Sequence, residues 1–161
     1  MASERAAEIA ADFADANAEV LAFVRSCSDE QWVLTVPGEG WTVGVVLHHV
    51  AEGHGHGLRW LESMARGDGV AETAEEIDRA NAAHAVRAEG VQPAETLVLL
   101  ESNGAELESA LRALTDEELD RRAPFGPADG RELPTADLAA VAARHAREHL
   151  AHARGAVNGE A

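Results

Sequence analysis

Cysteine is nearly missing from this chain: Cys27 stands alone among 161 residues. A framework of internal disulfides is therefore excluded, and the usage fits a reducing compartment, so a cytoplasmic location is expected. Only five prolines interrupt the sequence, tyrosine is absent, and aromatic residues make up 4%. With Ala, Leu, Glu and Arg abundant, that composition suits helices far better than strands. No apolar run approaches the roughly 18 residues that a membrane-spanning helix needs. The opening stretch, MASERAAEIAADFADA, has no apolar segment of the kind that marks a signal peptide. Positive charge is also scarce. Thirteen Lys and Arg face 29 Asp and Glu, for a formal net charge of −16. Such a surface repels nucleic acids and anionic membranes, so neither is expected as a partner. The acidity itself reads as solvated helix faces. The length suits a single domain, 1–161, able to bury its own core.

What is present is helical periodicity. Over about residues 3–27, Ile9, Phe13, Ala16, Val20, Val24 and Cys27 fall on one stripe. A second helix is expected from PGEGWT to about Arg66, with Thr42 as its N-cap. A third, about 93–114, opens near Pro93 and carries Leu97, Leu100, Gly104, Leu107, Leu111 and Leu114 at the alternating three and four spacing of a packed seam. A fourth is expected to start at Thr135 as N-cap and run to about Val157.

A weak internal echo runs through these segments. CSDEQW and LTDEEL each hold a capping box, Ser28 with Gln31 and Thr115 with Glu118. Each is followed by a Pro- and Gly-bearing loop and then by a histidine-bearing helix, so the chain reads as two helical hairpins. The link between them, about 67–92, is long enough to cross a bundle and to hold a helix of its own, AEEIDRANAAHAVRAE. Such a crossover lets the second and third helices run parallel. The expected fold is thus all-α, a four-helix bundle.

The histidines are the chemistry-bearing feature. At about 100° per residue, Leu138, Val141, His145, His149, His152 and Ala156 share one face of the fourth helix, so the three histidines are expected to continue its core-facing stripe. An unpaired buried polar group costs about 1–3 kcal/mol, and a metal ion would satisfy several imidazoles at once. His at i and i+4 on one helix can chelate one cation. The second helix offers His48, His49, His54 and His56. His48 falls opposite the apolar centre and is expected to face solvent; His49 and His54 flank the stripe, and the wheel does not choose between them. For His54, His56 and His84 hydrogen-bonded roles without metal are expected.

GWTVGVVLHHVAEGH followed by RWLESMARGDG resembles the second helix of the DinB/YfiT-like superfamily, and RHAREHLAHARGA resembles its fourth. The link DRANAAHAVRAEGVQPAETLVLLESNGAELESALRAL is similar to members as well, so the resemblance covers essentially the whole chain. It implies a four-helix bundle with one metal-binding histidine on the second helix, eight residues after the Trp, and an HxxxH pair on the fourth. Counting from Trp41, it selects His49, with His145 and His149 as the pair; His152 would be a pocket or supporting residue. The group includes the N-terminal domain of mycothiol-dependent maleylpyruvate isomerase and the bacillithiol and mycothiol S-transferases. The isomerase has a further C-terminal domain that has no counterpart here, so its particular activity is not expected.

Three neutral imidazoles leave coordination positions open, as in a reactive rather than a purely structural site. Zn²⁺ or Ni²⁺ is the natural occupant, with Fe²⁺ or Mn²⁺ less suited. Cys27 is expected to fill the core and Trp41 to pack at the helix entry, so the nucleophile should come from outside. The resemblance implies a low-molecular-weight thiol as cosubstrate, in a metal-dependent S-transferase acting on an electrophilic small molecule. Water activated for hydrolysis and a non-enzymatic, stress-related metal-binding module are the alternatives. No thiol-recognition residues are assigned, although Arg59 and Arg144 are available cations. A homodimer is expected, because bundles with two broad apolar faces often pair.

Overall fold

The computed structural model describes residues 3–160. Helix α1 covers Glu4–Ser26, a short α2 covers Asp29–Trp32, α3 covers Val43–Arg66, α4 covers Ala74–Arg87, α5 covers Pro93–Ala113, a short α6 covers Asp116–Asp120 and α7 covers Thr135–Asn158. The long helices α1, α3, α5 and α7 form a four-helix bundle. The helix starts follow local chemistry. Ser3 Oγ accepts from the Ala6 amide and Thr42 Oγ1 from the Val45 amide. Both expected capping boxes form, and a third, Thr73 with Glu76, opens α4 inside the link.

At α7 the cap differs from expectation. Pro134 occupies the N-cap, and Thr135 is the first helical residue. The Thr135 hydroxyl instead donates to the Arg121 carbonyl at 3.1 Å, tying the helix start to the end of α6. The segment before it is also not plain loop. Strands β1 (Arg122–Phe125) and β2 (Arg131–Pro134) pair antiparallel, and Val70 joins alongside, its amide N–H donating to the Pro124 carbonyl at 2.9 Å. Two four-residue strands, each containing a proline, leave no alternation for a sequence pattern to catch. The hairpin rests on a small apolar cluster of Met64, Val70, Ala123 and Leu138, beside Trp60 and Phe125.

Each of α1 and α3 packs against both α5 and α7. The two helices of each expected hairpin therefore lie across the bundle's diagonal rather than side by side, which corrects the hairpin reading. The loops between them are long enough to reach across. Cross-contacts fix the directions. The Trp32 indole N–H, against Gly44 at the start of α3, donates to the Val91 carbonyl just before α5. Asn103 of α5 donates to the Ala51 carbonyl of α3, and Arg121 beyond α5 reaches the Ala65 carbonyl. So α3 and α5 run parallel, with α4 in the crossover. Arg147 and Arg154 of α7 meet Asp12 and Glu19 of α1 in the same order, so those two also run parallel.

The core follows the α1 and α5 seams: Phe13, Ala16, Val20 and Val24 meet Leu100, Leu107 and Leu111, all buried. Gly104 lets α5 approach α1 at Asn17, whose amide a Cβ there would strike. On α7 the buried face is Ala139, Ala143, Ala146, Leu150 and Ala153. Those alanines weigh little on a hydropathy wheel, so the wheel placed the histidines at the centre of a face whose edge they occupy. No described helix is long and apolar enough to cross a membrane.

Candidate metal centre

Where the edge of α7 meets α3, the structure brings His49, His145 and His149 together. One ring nitrogen from each lies within 4.8 Å of the others. His49 Nε2 and His145 Nε2 are 3.2 Å apart, and the His145 and His149 rings pack edge to face at 4.6 Å between centroids. The i, i+4 spacing on α7 sets the second pair, and antiparallel packing against α3 supplies the third ring. Gly53 matters here: a Cβ at that position would come within 3.2 Å of the His145 ring.

Burial lowers the His49 pKa to about 3, with the neighbouring histidines adding to the effect. Burial also lowers that of His145 to about 4, with His149 next in effect. Both are thus neutral at physiological pH, which is the form that donates a lone pair to a cation. Two such nitrogens facing each other at hydrogen-bond distance can share one proton, whereas three converging nitrogens suit one cation. The donor set fits a divalent metal on that ground.

A residue that no pattern in the sequence singled out supports the third ring of the cluster. Glu39, in the loop before α3, accepts from His149 Nδ1 at 3.1 Å. That leaves His149 Nε2 as the free nitrogen and fixes the ring, as a carboxylate behind a metal-binding histidine does. The same Glu39 oxygen meets His152 Nδ1 at 2.6 Å. The only advance signal was an acid between glycines, in VPGEG, just ahead of the capped helix.

The other candidates separate. His152 is 57% exposed, which corrects its expected inward place: it flanks Glu39 from outside. His54 is buried in the core, with its Nε2 at 3.0 Å from Asn17 Oδ1 and its ring edge-on to Phe13. His56 lies beside Arg59, Trp60 and Glu72. His48 does not simply face solvent: its ring stacks on His84 at 5.2 Å. Cys27 is half-buried at the end of α1, and burial pushes its thiol pKa up. Trp41 packs against the core and sets its ring edge against His49 at 5.5 Å, so it touches the centre as well as the helix entry. Arg144 is exposed beside Glu148, whereas Arg59 lines the cleft.

The three histidines form part of the wall of a cleft of about 970 Å³, bounded by α3, α4, α5 and α7. Its far lining includes Trp60, Ile77, Leu107 and Leu138. None of the described lining residues is Ser, Thr, Cys or Lys, and the chain contains no lysine at all.

The comparisons with known proteins agree with this architecture. The family model described as the DinB superfamily matches residues 12–153. A solved structure titled "YfiT from Bacillus subtilis is a probable metal-dependent hydrolase with an unusual four-helix bundle topology" matches with a TM-score of 0.77 at 21% identity, covering 100% of this chain and 91% of that one. At that identity the likeness speaks for the fold. No curated protein matches the chain.

Proposed function

The chain belongs to the DinB superfamily, and we propose that it is a divalent-metal-dependent enzyme that transfers a small thiol, of the mycothiol or bacillithiol type, to an electrophilic small molecule. The observation that carries this reading is the convergence of three imidazoles on a roomy cleft whose described lining offers no Ser, Thr, Cys or Lys nucleophile. In this reading His49, His145 and His149 are the ligands and Zn²⁺ or Ni²⁺ the occupant. A divalent cation held there supplies Lewis acidity toward a thiol or a water.

The chain's own residues do the rest. His49 and His145 stay unprotonated at neutral pH, so they need lose no proton to bind. Glu39 holds the Nδ1 proton of His149 and keeps its ring in place. Trp41 braces the His49 ring from one side. The cleft, at about 970 Å³, lies at the upper end of the usual range for small-molecule sites and has room for two organic reactants. Ile77, Leu107 and Leu138 give part of its lining an apolar surface for an organic substrate.

A second reading replaces the thiol with water. The description of YfiT as a "probable metal-dependent hydrolase" favours it. A metal-binding module without turnover is the remaining alternative. The test is elemental analysis of protein purified without chelator or a His-tag, beside a His145→Ala/His149→Ala variant. The proposal expects about one Zn or Ni at this centre, lost in the variant, and thiol-dependent consumption of an electrophile by the metal-loaded wild type. Turnover without thiol would select hydrolysis; metal without turnover would select the binding module. Equal metal in both proteins would overturn the centre.

A further inference from the structure

We propose that His48, Glu52 and His84 form a second divalent-cation site, which clamps the crossover helix α4 to the bundle. His48 and Glu52 lie one turn apart on α3, the i, i+4 spacing that lets two side chains reach one ion. His84 comes from α4. One ligand atom from each residue lies within 4.8 Å of the others. His48 Nδ1 is 2.9 Å from His84 Nε2, which in turn is 3.8 Å from Glu52 Oε2. Two imidazoles and a carboxylate make a donor set that suits Zn²⁺ and its neighbours. This trio shares no residue with the first centre and does not depend on the proposed activity.

His84 is what makes the cluster more than a surface pairing. It is 3% exposed, and its Nδ1 has no partner. Whichever way the proton sits between His48 and His84, a buried polar atom of His84 stays unsatisfied. That is costly for an imidazole whose only gain is one hydrogen bond. Coordination at Nε2 leaves Nδ1 unpaired but fixes its proton there, and it adds a metal bond to a buried ring that otherwise gains a single hydrogen bond. The surroundings favour a cation. The cluster opens on a pocket of about 300 Å³, which Glu89 and Glu95 also line, while Glu52 and His84 border the main cleft as well. Arg87 Nη2 stands 3.5 Å from Glu52, but its side chain is 62% exposed and free to move aside.

The consequence concerns the cleft. Helix α4 supplies one cleft wall through Ile77, Ala80, Asn81 and His84. A cation joining His84 to α3 would fix that wall in place.

The test uses the metal-free full chain and Zn²⁺ alone. In a His145→Ala/His149→Ala background, calorimetric titration should still show about one Zn²⁺ per chain. Adding Glu52→Gln, at a side chain 43% exposed, should weaken that binding at least tenfold without loss of helical signal, and adding His48→Ala should do the same. Zn²⁺ should also slow amide hydrogen exchange across residues 74–87 in the double variant. No zinc bound by that variant, binding within twofold after both added changes, or exchange unaltered by zinc would overturn the site. The first centre is read separately: if His145→Ala/His149→Ala leaves the wild-type stoichiometry unchanged at one, lost on Glu52→Gln, that centre fails and this one stands.

Discussion

Glu39 gives the sharpest test of the first centre, because it touches the proposed ligands without being one of them. Its carboxylate accepts from His149 Nδ1 at 3.1 Å and from His152 Nδ1 at 2.6 Å. Replacing it with Gln leaves an oxygen able to accept from His149 but removes the charge. A hydrogen bond to a charged group contributes about 1.5–3 kcal/mol against about 0.5–1.5 for a neutral one. The difference, about 1–1.5 kcal/mol, corresponds to a loss of roughly tenfold in metal affinity. Glu39→Ala removes the bond altogether and frees the His149 ring to rotate, so its loss should approach a hundredfold, the upper end for partners behind a ligand. Competition against a chromophoric chelator at pH 7.5 measures both. Glu39 sits in a loop rather than in the core, so the melting temperature of the metal-free protein should change little. Metal affinity within twofold of wild type for Glu39→Ala would refute the ligand role of His149. An affinity loss matched by an equal loss of metal-free stability would refute the orienting role.

Other outcomes follow from the same contacts. The metal-free fold should weaken as pH falls from about 6.5 toward 4: burial lowers the His54 pKa to about 4, so the unfolded chain takes up that proton first. His54→Gln should flatten the slope of unfolding free energy by up to about 1.4 kcal/mol per pH unit in that window; urea titrations with parallel slopes would contradict it. Gly44→Ala should cost about 1–3 kcal/mol, since the new Cβ would strike the Trp32 indole that donates to the Val91 carbonyl at 2.8 Å; an unchanged denaturation midpoint would show that the indole moves freely. Asn17→Ala should also cost about 1–3 kcal/mol, because it leaves His54 Nε2 without its partner in the core. Chelator should lower the melting temperature of metal-loaded protein, as loss of ligand held at a hundred times its Kd removes about 2.7 kcal/mol; equal melting with and without chelator would speak against bound metal.

The long helices were legible in the sequence because their determinants are local. Caps at Ser28, Thr42 and Thr115 announce helix starts through side chains that bond to amides three residues on. The seam from Leu100 to Leu111 repeats at helical spacing whatever it packs against. The parallel course of α3 and α5 was legible too, since only a long link permits it. The diagonal placement of α1 and α3 was not. It depends on which faces meet, and the faces of α1 and α7 carry much of their buried surface on alanine. Ala139, Ala143, Ala146 and Ala153 let α7 pack closely while adding almost nothing to an apolar wheel. The same weakness rotated the fourth helix in the sequence reading and carried His152 inward, where the structure has it exposed beside Glu39.

The site divides along the same line. His145 and His149 were visible as a pair because one helix spaces them. His49 required a resemblance, since the wheel could not separate it from His54, and the structure distinguishes the two by what each faces. His49 meets two imidazoles across a helix interface; His54 meets an amide and a phenyl ring in the core. Glu39 and the His48–His84 pairing join residues 110 and 36 positions apart or bring a crossover helix against a bundle helix, and no local pattern encodes either. Both also explain why so many histidines crowd one side of this molecule. Three of them converge beside a cleft without a Ser, Thr, Cys or Lys nucleophile, a fourth is held outside by Glu39, and two more stack beside His49, between α3 and α4, with one buried nitrogen unmet. His54 Nε2 has an amide partner in Asn17, whereas His84 keeps a buried nitrogen with none. The unequal satisfaction of these rings is what separates core histidines from those arranged to meet a cation.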